Sequence, residues 1–257
     1  MLLAINANNT NTVFAVWDGS SLKGSWRAAT DPRRTADEYV VWLDHLLALQ
    51  GLARQKIDGA ILSSVVPEAN FNLLRFCREY CGREALVVGD PGVATGMETL
   101  VDRPEEVGAD RIVNTVAAHD RYKGPLIIVD FGTATTFDVV DAKGNYRGGV
   151  IAPGINLSLQ ALALAAAKLP SVPIGRTKTV IGTSTVACMQ SGIYWGYVGL
   201  IEGLVARIKA EFGEPMSVVS TGGLAPLFDG STAAIDRTDP TLILWGLKLV
   251  YDRNRKP

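Results

Sequence analysis

At 257 residues the chain is long enough for one large domain or two small ones, and 47% hydrophobic with 20% charged residues is ordinary for a globular protein. A net charge of −1 with no long basic run argues against nucleic acid as a partner. No apolar stretch approaches the roughly 18–20 residues of a membrane span, so no membrane partner is expected. The opening Met1-Leu-Leu-Ala-Ile5 turns polar at Asn6 without a basic segment before it. It reads as a first strand rather than a signal peptide. Cys77, Cys81 and Cys188 have no metal-ligand spacing, and free thiols suit a reducing cytoplasm, the expected location.

In chain order, residues 3–17 are two apolar strands around a polar turn, a β-hairpin. Ser25-Trp-Arg-Ala28 is a third strand. Thr35-Ala-Asp-Glu38 is a capping box, followed by the helical stripe Val40, Val41, Leu43, Leu46 and Leu47. A buried strand over 59–66 ends at Pro67; a helix over 72–80 and a strand over 85–88 follow. Gly108-Ala-Asp-Arg111 opens a helix through His119. The plan then repeats. Strands are predicted over 125–130, 135–141 and 146–152, and an Ala/Leu-rich helix over 157–167 is apolar enough to be buried. A long helix over 186–212, a strand over 216–220, the turn Thr221-Gly-Gly-Leu224 and a helix over 240–251 complete the chain. The order argues for α/β architecture. The tight Lys123-Gly124 divides it into 1–122 and 123–257, two similar domains expected to pack closely.

The repetition extends to the turns. Asn6-Ala-Asn-Asn-Thr-Asn-Thr12 aligns with Asp130-Phe-Gly-Thr-Ala-Thr-Thr136 at a constant offset of 124 positions, pairing Asn6 with Asp130, Asn8 with Gly132 and Thr12 with Thr136. Turns of this kind present backbone N–H groups and hydroxyls that can cradle phosphate. A third turn, Ser220-Thr-Gly-Gly-Leu-Ala225, carries Gly222 and Gly223, whose lack of side chains lets a ligand approach the backbone closely. His45 and His119 lie on helical stretches without a nucleophile nearby in sequence and read as structural.

Together the three turns resemble the phosphate-1, phosphate-2 and adenosine motifs of the superfamily containing actin, sugar kinases and the heat-shock ATPases. Glu106-Val-Gly-Ala-Asp-Arg-Ile-Val-Asn114, Gly148-Gly-Val-Ile-Ala-Pro-Gly-Ile155 and Met189-Gln-Ser-Gly-Ile-Tyr-Trp-Gly-Tyr-Val-Gly-Leu-Ile-Glu-Gly203 resemble signatures of type III pantothenate kinases. The resemblance runs from Met1 to about Tyr251. It implies duplicated ribonuclease-H-like (actin-like ATPase) domains with mixed sheets and a cleft between them. It also implies a homodimer that phosphorylates the primary hydroxyl of pantothenate with ATP, the first step of coenzyme A synthesis, using Mg²⁺ and a monovalent cation, K⁺ or NH₄⁺.

Residue by residue, the resemblance implies ATP contacts from Asn6, Ala7, Asn8, Asn9, Thr10, Asn11, Thr12 and Val13, with Thr133, Gly222 and Gly223. It implies pantothenate contacts from Gly108, Ala109, Asp110, Arg111 and, across a dimer interface, Thr185. Asp110 resembles the general base, although by position alone it could equally be a helix N-cap; Thr185 could likewise be an N-cap. Arg111 could hold the pantothenate carboxylate with its fork of donors. Asp130 resembles the monovalent-cation ligand, and could otherwise stabilise its turn through an Asx bond. The aromatic run Tyr194, Trp195 and Tyr197 is expected at the dimer interface.

Four positions depart from the family pattern. Asn6 stands where a carboxylate is usual, Asn8 where glycine is usual, Arg103 where asparagine often precedes Pro104, and Ser184 where asparagine often precedes Thr185. The first two leave a regulatory or accessory protein with a degenerate site as the alternative function. Position 6 would sit in the Mg²⁺ shell through water, because Mg²⁺ keeps several waters. An amide there lacks the negative charge of the usual carboxylate. Asn6→Asp should therefore lower the Mg²⁺ concentration giving half-maximal turnover; an unchanged Mg²⁺ titration in an active enzyme would remove position 6 from that shell.

Overall fold

The computed structural model describes residues 1–165, 170 and 172–255. They form two compact units: Met1–Glu98 with Asp102–Ala117 and the chain from Leu242 onward, and Thr99–Val101 with Ala118–Thr241.

The first unit is built on a five-stranded sheet. Its strands are β1 (Leu2–Ala7), β2 (Asn11–Asp18), β3 (Ser21–Ala29), β4 (Gly59–Ser64) and β5 (Leu86–Val87), in the spatial order β3-β2-β1-β4-β5. β1 pairs antiparallel with β2 and parallel with β4, so it is the central strand, and all six of its residues are buried. Alternation sends its side chains to two apolar layers. Leu3 and Ile5 join Phe14, Val16 and Leu62 under α1 (Ala36–Leu49) and α2 (Pro67–Arg75). Leu2 and Ala4 join Ile61 on the opposite face, with Val113 and Val116 of α3 (Ala109–Tyr122). The expected capping box starts α1: the Thr35 hydroxyl accepts from the Glu38 N–H, and the Glu38 carboxylate accepts from the Thr35 N–H at 2.8 Å.

The second unit repeats this plan. Its strands are β6 (Leu126–Phe131), β7 (Ala134–Val140), β8 (Tyr146–Pro153), β9 (Ser217–Thr221) and β10 (Arg237–Thr238), ordered β10-β9-β6-β7-β8. Strand for strand this is the first sheet again, with β6 in the place of β1. Its core packs Ile127, Val129 and Phe131 against the long helix α5, which spans Thr185–Phe212; α4 spans Ile155–Ala165.

Four sequence expectations need correction. The last helix, α6 (Leu242–Asn254), belongs to the first unit although it follows the second in sequence. Its Leu244, Leu247 and Val250 bury against Leu2, Ala4, Ile61, Val113 and Val116. Gly246 makes the approach possible, because a Cβ there would overlap the Val113 carbonyl. The division at 122/123 therefore misplaces α6: chain order carries no information about which sheet face an apolar helix covers.

The second correction is α4, which buries only Ile155 and Leu159, while Leu157, Leu162 and Leu164 are exposed. Residues 166 and 167 of its expected span lie outside the described residues. The third is the aromatic run. Tyr194 and Tyr197 lie in the core, where both stack on Phe228, and so are not surface residues. Finally, Thr185 is the first residue of α5 and not its cap. Ser184 is the N-cap, its hydroxyl accepting from the Ala187 N–H at 3.2 Å.

Leu247 is fully buried against the first sheet. Leu247→Ala should lower unfolding stability by about 2–5 kcal/mol, as buried leucine truncations do; denaturant titration checks whether the C-terminal helix carries that share of the first unit.

Candidate functional site

Both predicted phosphate turns lie at the same place in their sheets, where the central strand turns back into its antiparallel neighbour. In the first unit Ala7 pairs with Thr12, leaving residues 8–11 as the turn, closed by Asn8 N–H donating to the Asn11 carbonyl at 3.1 Å. In the second unit Phe131 pairs with Thr135, leaving residues 132–134, closed by Gly132 N–H donating to the Ala134 carbonyl at 3.0 Å. The second turn is one residue shorter, and this corrects the sequence alignment. Asn6 and Asp130 remain equivalent, but the strand register makes Thr135, not Thr136, the counterpart of Thr12. Burial agrees: Thr12 and Thr135 are both enclosed, and Thr136 is less so.

Within the first unit, the expected substrate loop meets the first turn. Val65 N–H donates to the Ala7 carbonyl at 3.0 Å, and the Val65 side chain lies within 3.5 Å of where a Cβ on Gly108 would stand. Asn6, Ala7 and the residues 108–111 therefore share the carboxyl end of β1 and β4, the end at which parallel strands present ligands. Asp110 is the second residue of α3 and so is not its cap. Its Oδ1 accepts from the Arg111 N–H at 2.9 Å and lies 2.7 Å from the Cβ position of Gly108, so a side chain at 108 would displace it. Burial pushes the Asp110 carboxyl above its ordinary range, while the Arg111 N–H and the Arg111 charge pull it down.

The second unit brings Asp130 and the glycine turn together. Gly222 has φ +93°, which favours glycine, and a Cβ there would stand 2.5 Å from Asp130 Oδ1 and 2.6 Å from the Phe131 carbonyl. Gly222 thus packs against the end of β6, Thr133 lies in the turn that follows that strand, and Gly223 is the next residue of the glycine turn. Thr185 is not among them. It is exposed at the start of α5, near a cavity of about 320 Å³ whose lining includes Arg176, Lys178 and Gln190.

The residues at the first turn fit a hydrated divalent cation. Asn6 Oδ1 and Asn8 Oδ1 are buried acceptors with no hydrogen-bond partner among the described residues. Buried acceptors of this kind are costly unless a donor completes them, and metal-bound water is such a donor. Sequence reasoning missed Ser63. Its hydroxyl is fully buried, also unpartnered among the described residues, and its residue is the register neighbour of Asn6 on β4. A serine at the carboxyl end of an otherwise apolar strand was the available signal. Among the described residues no cluster of three or more His, Cys, Asp or Glu is placed to hold a metal.

Two ribonuclease-H-like sheets with equivalent turns at their central strands define the actin-like ATPase and sugar kinase class. Solved structures agree at the level of fold. A Campylobacter jejuni protein described as a Baf family transcriptional activator matches 98% of each chain with a TM-score of 0.60 at 18% identity. A Sinorhizobium meliloti protein described as a 2-dehydro-3-deoxygalactonokinase matches 98% of this chain and 96% of its own with a TM-score of 0.60 at 12% identity.

Sequence comparison is more specific. A description of the type III pantothenate kinase family matches residues 2–207. The type III pantothenate kinase of Paramagnetospirillum magneticum is 63% identical over 100% of this chain and 99% of its own, and that of Rhodospirillum rubrum is 60% identical over 99% of each. The chain belongs to the type III pantothenate kinase family.

The opposing influences on Asp110 can be separated. Arg111→Ala removes a lowering charge, so the Asp110 carboxyl should titrate higher still than in the unaltered protein. Side-chain carboxyl NMR across pH 3–8, a range that spans the ordinary Asp value near ~3.9, checks the direction; a downward movement would contradict it.

Proposed function

We propose that this chain transfers the γ-phosphoryl group of ATP to the primary hydroxyl of pantothenate, giving 4′-phosphopantothenate and ADP. The observation that carries the reading is 60–63% identity to type III pantothenate kinases over nearly the whole chain, combined with a half-buried Asp110 near the carboxyl end of β1 and β4. In the proposed reaction the pantothenate hydroxyl oxygen attacks the γ-phosphorus. The bond to the β–γ bridging oxygen breaks, ADP leaves with that oxygen, and the hydroxyl proton passes to the Asp110 carboxylate. In a loose transition state that proton leaves late, so orientation by Asp110 matters more than basicity. Gly108 and Ala109 are assigned to the pantothenate contact surface beside it, and Arg111 offers a fork of N–H donors for the pantothenate carboxylate.

Residues 6–13, Thr133, Gly222 and Gly223 are assigned to ATP. Asn6 and Asn8 are assigned to the water shell of Mg²⁺, which when bound neutralises developing phosphate charge. Asp130 is assigned to K⁺ or NH₄⁺. The proposed assembly is a cytoplasmic homodimer in which Thr185 reaches the pantothenate of the partner subunit. Exposed Leu157, Leu164, Val180, Ile181 and Val186 support an interface around α4 and the start of α5. Among the described residues, no helix is long and apolar enough to cross a membrane.

A coupled ADP-release assay with pantothenate tests the reading. Turnover should require pantothenate and be higher in K⁺ or NH₄⁺ than in Na⁺. Asp110→Asn should lose about 10²–10⁴ in turnover, the usual worth of a positioned base, while retaining ADP binding. No pantothenate-dependent ADP release, or full turnover by the Asn variant, would refute the activity or the role of Asp110 respectively.

A further inference from the structure

The two turns are held by equivalent devices made from different residues. In the first unit the holder is Thr30, the residue that follows β3. Its N–H donates to the Thr10 carbonyl at 3.1 Å, its hydroxyl donates to the Asn8 carbonyl at 2.6 Å, and the same oxygen lies 2.8 Å from Thr12 Oγ1. One residue thus fastens the turn at three points, its N–H holding the Thr10 carbonyl and its hydroxyl holding the Asn8 carbonyl and the buried threonine at the start of the returning strand.

In the second unit the residue that follows β8 is Gly154. β8 lies beside β7 as β3 lies beside β2: Pro153 pairs with Ala134 as Ala29 pairs with Asn11. The backbone half of the device is kept, because Gly154 N–H donates to the Thr133 carbonyl at 3.2 Å. The side-chain half is absent, and sterics forbid it. A Cβ on Gly154 would overlap the Thr133 carbonyl and stand 2.8 Å from that of Gly132. The hydroxyl comes instead from α5. Tyr197 Oη lies 2.5 Å from Thr135 Oγ1, the counterpart of Thr12, and 2.8 Å from the Pro153 carbonyl. A phenol has one proton to donate. With that proton on the Pro153 carbonyl, Thr135 donates to Tyr197, just as Thr12 donates to Thr30.

We propose that Tyr197 is a positioning residue for the nucleotide turn 132–134, its hydroxyl meeting Thr135 at the end of the turn as the Thr30 hydroxyl meets Thr12, and tying it to the Pro153 carbonyl of β8. This gives two sequence signatures a common purpose: the Gly-Gly-Val-Ile-Ala-Pro-Gly segment supplies Pro153 and Gly154, and the α5 segment supplies Tyr197. The ring is fixed independently of the hydroxyl, since it stacks on Phe228 at 5.6 Å, and Phe228 stacks on Phe131 at 4.7 Å. Removing only the oxygen therefore loosens the turn while leaving the aromatic packing in place. The inference rests on the reading of residues 130–136 as a nucleotide turn.

The test measures Mg²⁺·ADP binding by calorimetry without pantothenate, alongside steady-state kinetics and thermal melting. Tyr197→Phe should weaken ADP binding and raise the KM for ATP by about 5- to 10-fold, the worth of one or two neutral hydrogen bonds, with the KM for pantothenate unchanged. Thr135→Val should behave in the same way, Thr135→Ser should restore binding, and the Tyr197→Phe/Thr135→Val double variant should be no worse than either alone, because the two act through one contact. A purely structural hydroxyl would lower the melting temperature and leave ADP affinity within 2-fold of the unaltered protein, and that result overturns the inference. If the unaltered protein binds ADP but shows no pantothenate turnover, the substrate reading fails while the turn inference is still decided by the variants. If it binds no nucleotide, the inference falls with the reading.

Discussion

Each half of this protein depends on how the central strand of its sheet ends. β1 and β6 are buried on both faces and flanked by strands on both sides, so their interiors are apolar. Their ends must leave that environment within one or two residues. Asn6 and Asp130 stand at that point, followed by turns whose backbone groups close on themselves and on the edge of the third strand. A buried polar group without a partner costs roughly 1–3 kcal/mol, so such groups persist only where something completes them. The oxygens of Asn6, Asn8 and Ser63, unpartnered among the described residues, lie at one such strand end.

The same constraint places Asp110. Helix α3 lies on the face of β1 formed by Leu2 and Ala4, and Gly108, the residue before it, comes up against Val65 just past the end of β4. A carboxylate there is partly withdrawn from water, which raises its pKa and makes it a better proton acceptor than an exposed aspartate. The Arg111 N–H bond and charge limit that rise. Gly108 matters for a steric reason: any side chain at 108 would push Asp110 from this position.

The duplication is also a lesson in how far local likeness extends. The halves share strand order, register and turn position, yet the device fastening the turn has diverged. Thr30 fastens one turn with its own side chain. In the other, Gly154 brings the backbone too close for any side chain, and a residue more than forty positions later in the chain provides the hydroxyl. Substitution of one hydroxyl by another is permitted because a hydrogen bond specifies where an oxygen stands, not which strand or helix carries it. Ser184 shows a side-chain oxygen used in the same way over a shorter distance: its hydroxyl caps α5 by accepting from the Ala187 N–H.

Much of the fold was legible in the residues. The strands around each turn alternate or run apolar, the capping box at Thr35 has its own spacing, and the shared offset between Asn6 and Asp130 exposes the duplication. The candidate residues Asn6, Asp130, Gly222 and Gly223 were visible as polar groups or glycines in the turns that end apolar strands, whereas Asp110 stood out only through the resemblance of residues 106–114 to the family. What was not legible depends on distance in space. The Ala/Leu composition of α4 reads as core, but only the fold shows that Ile155 and Leu159 alone find cover. The aromatics of α5 suggested a surface for assembly, but Tyr194 and Tyr197 are held inside by Phe228. The offset of 124 aligned Thr12 with Thr136, but a turn one residue shorter moves the equivalence to Thr135, because strand pairing and not residue count sets which side chains face inward. By itself the sequence determined the local elements and their duplication, since capping, periodicity and turn chemistry act between near neighbours. Only tertiary structure decided that α6 returns to the first sheet and that Tyr197 reaches Thr135 and Pro153, because those choices are made by apolar faces and hydrogen-bonding groups far apart in the chain.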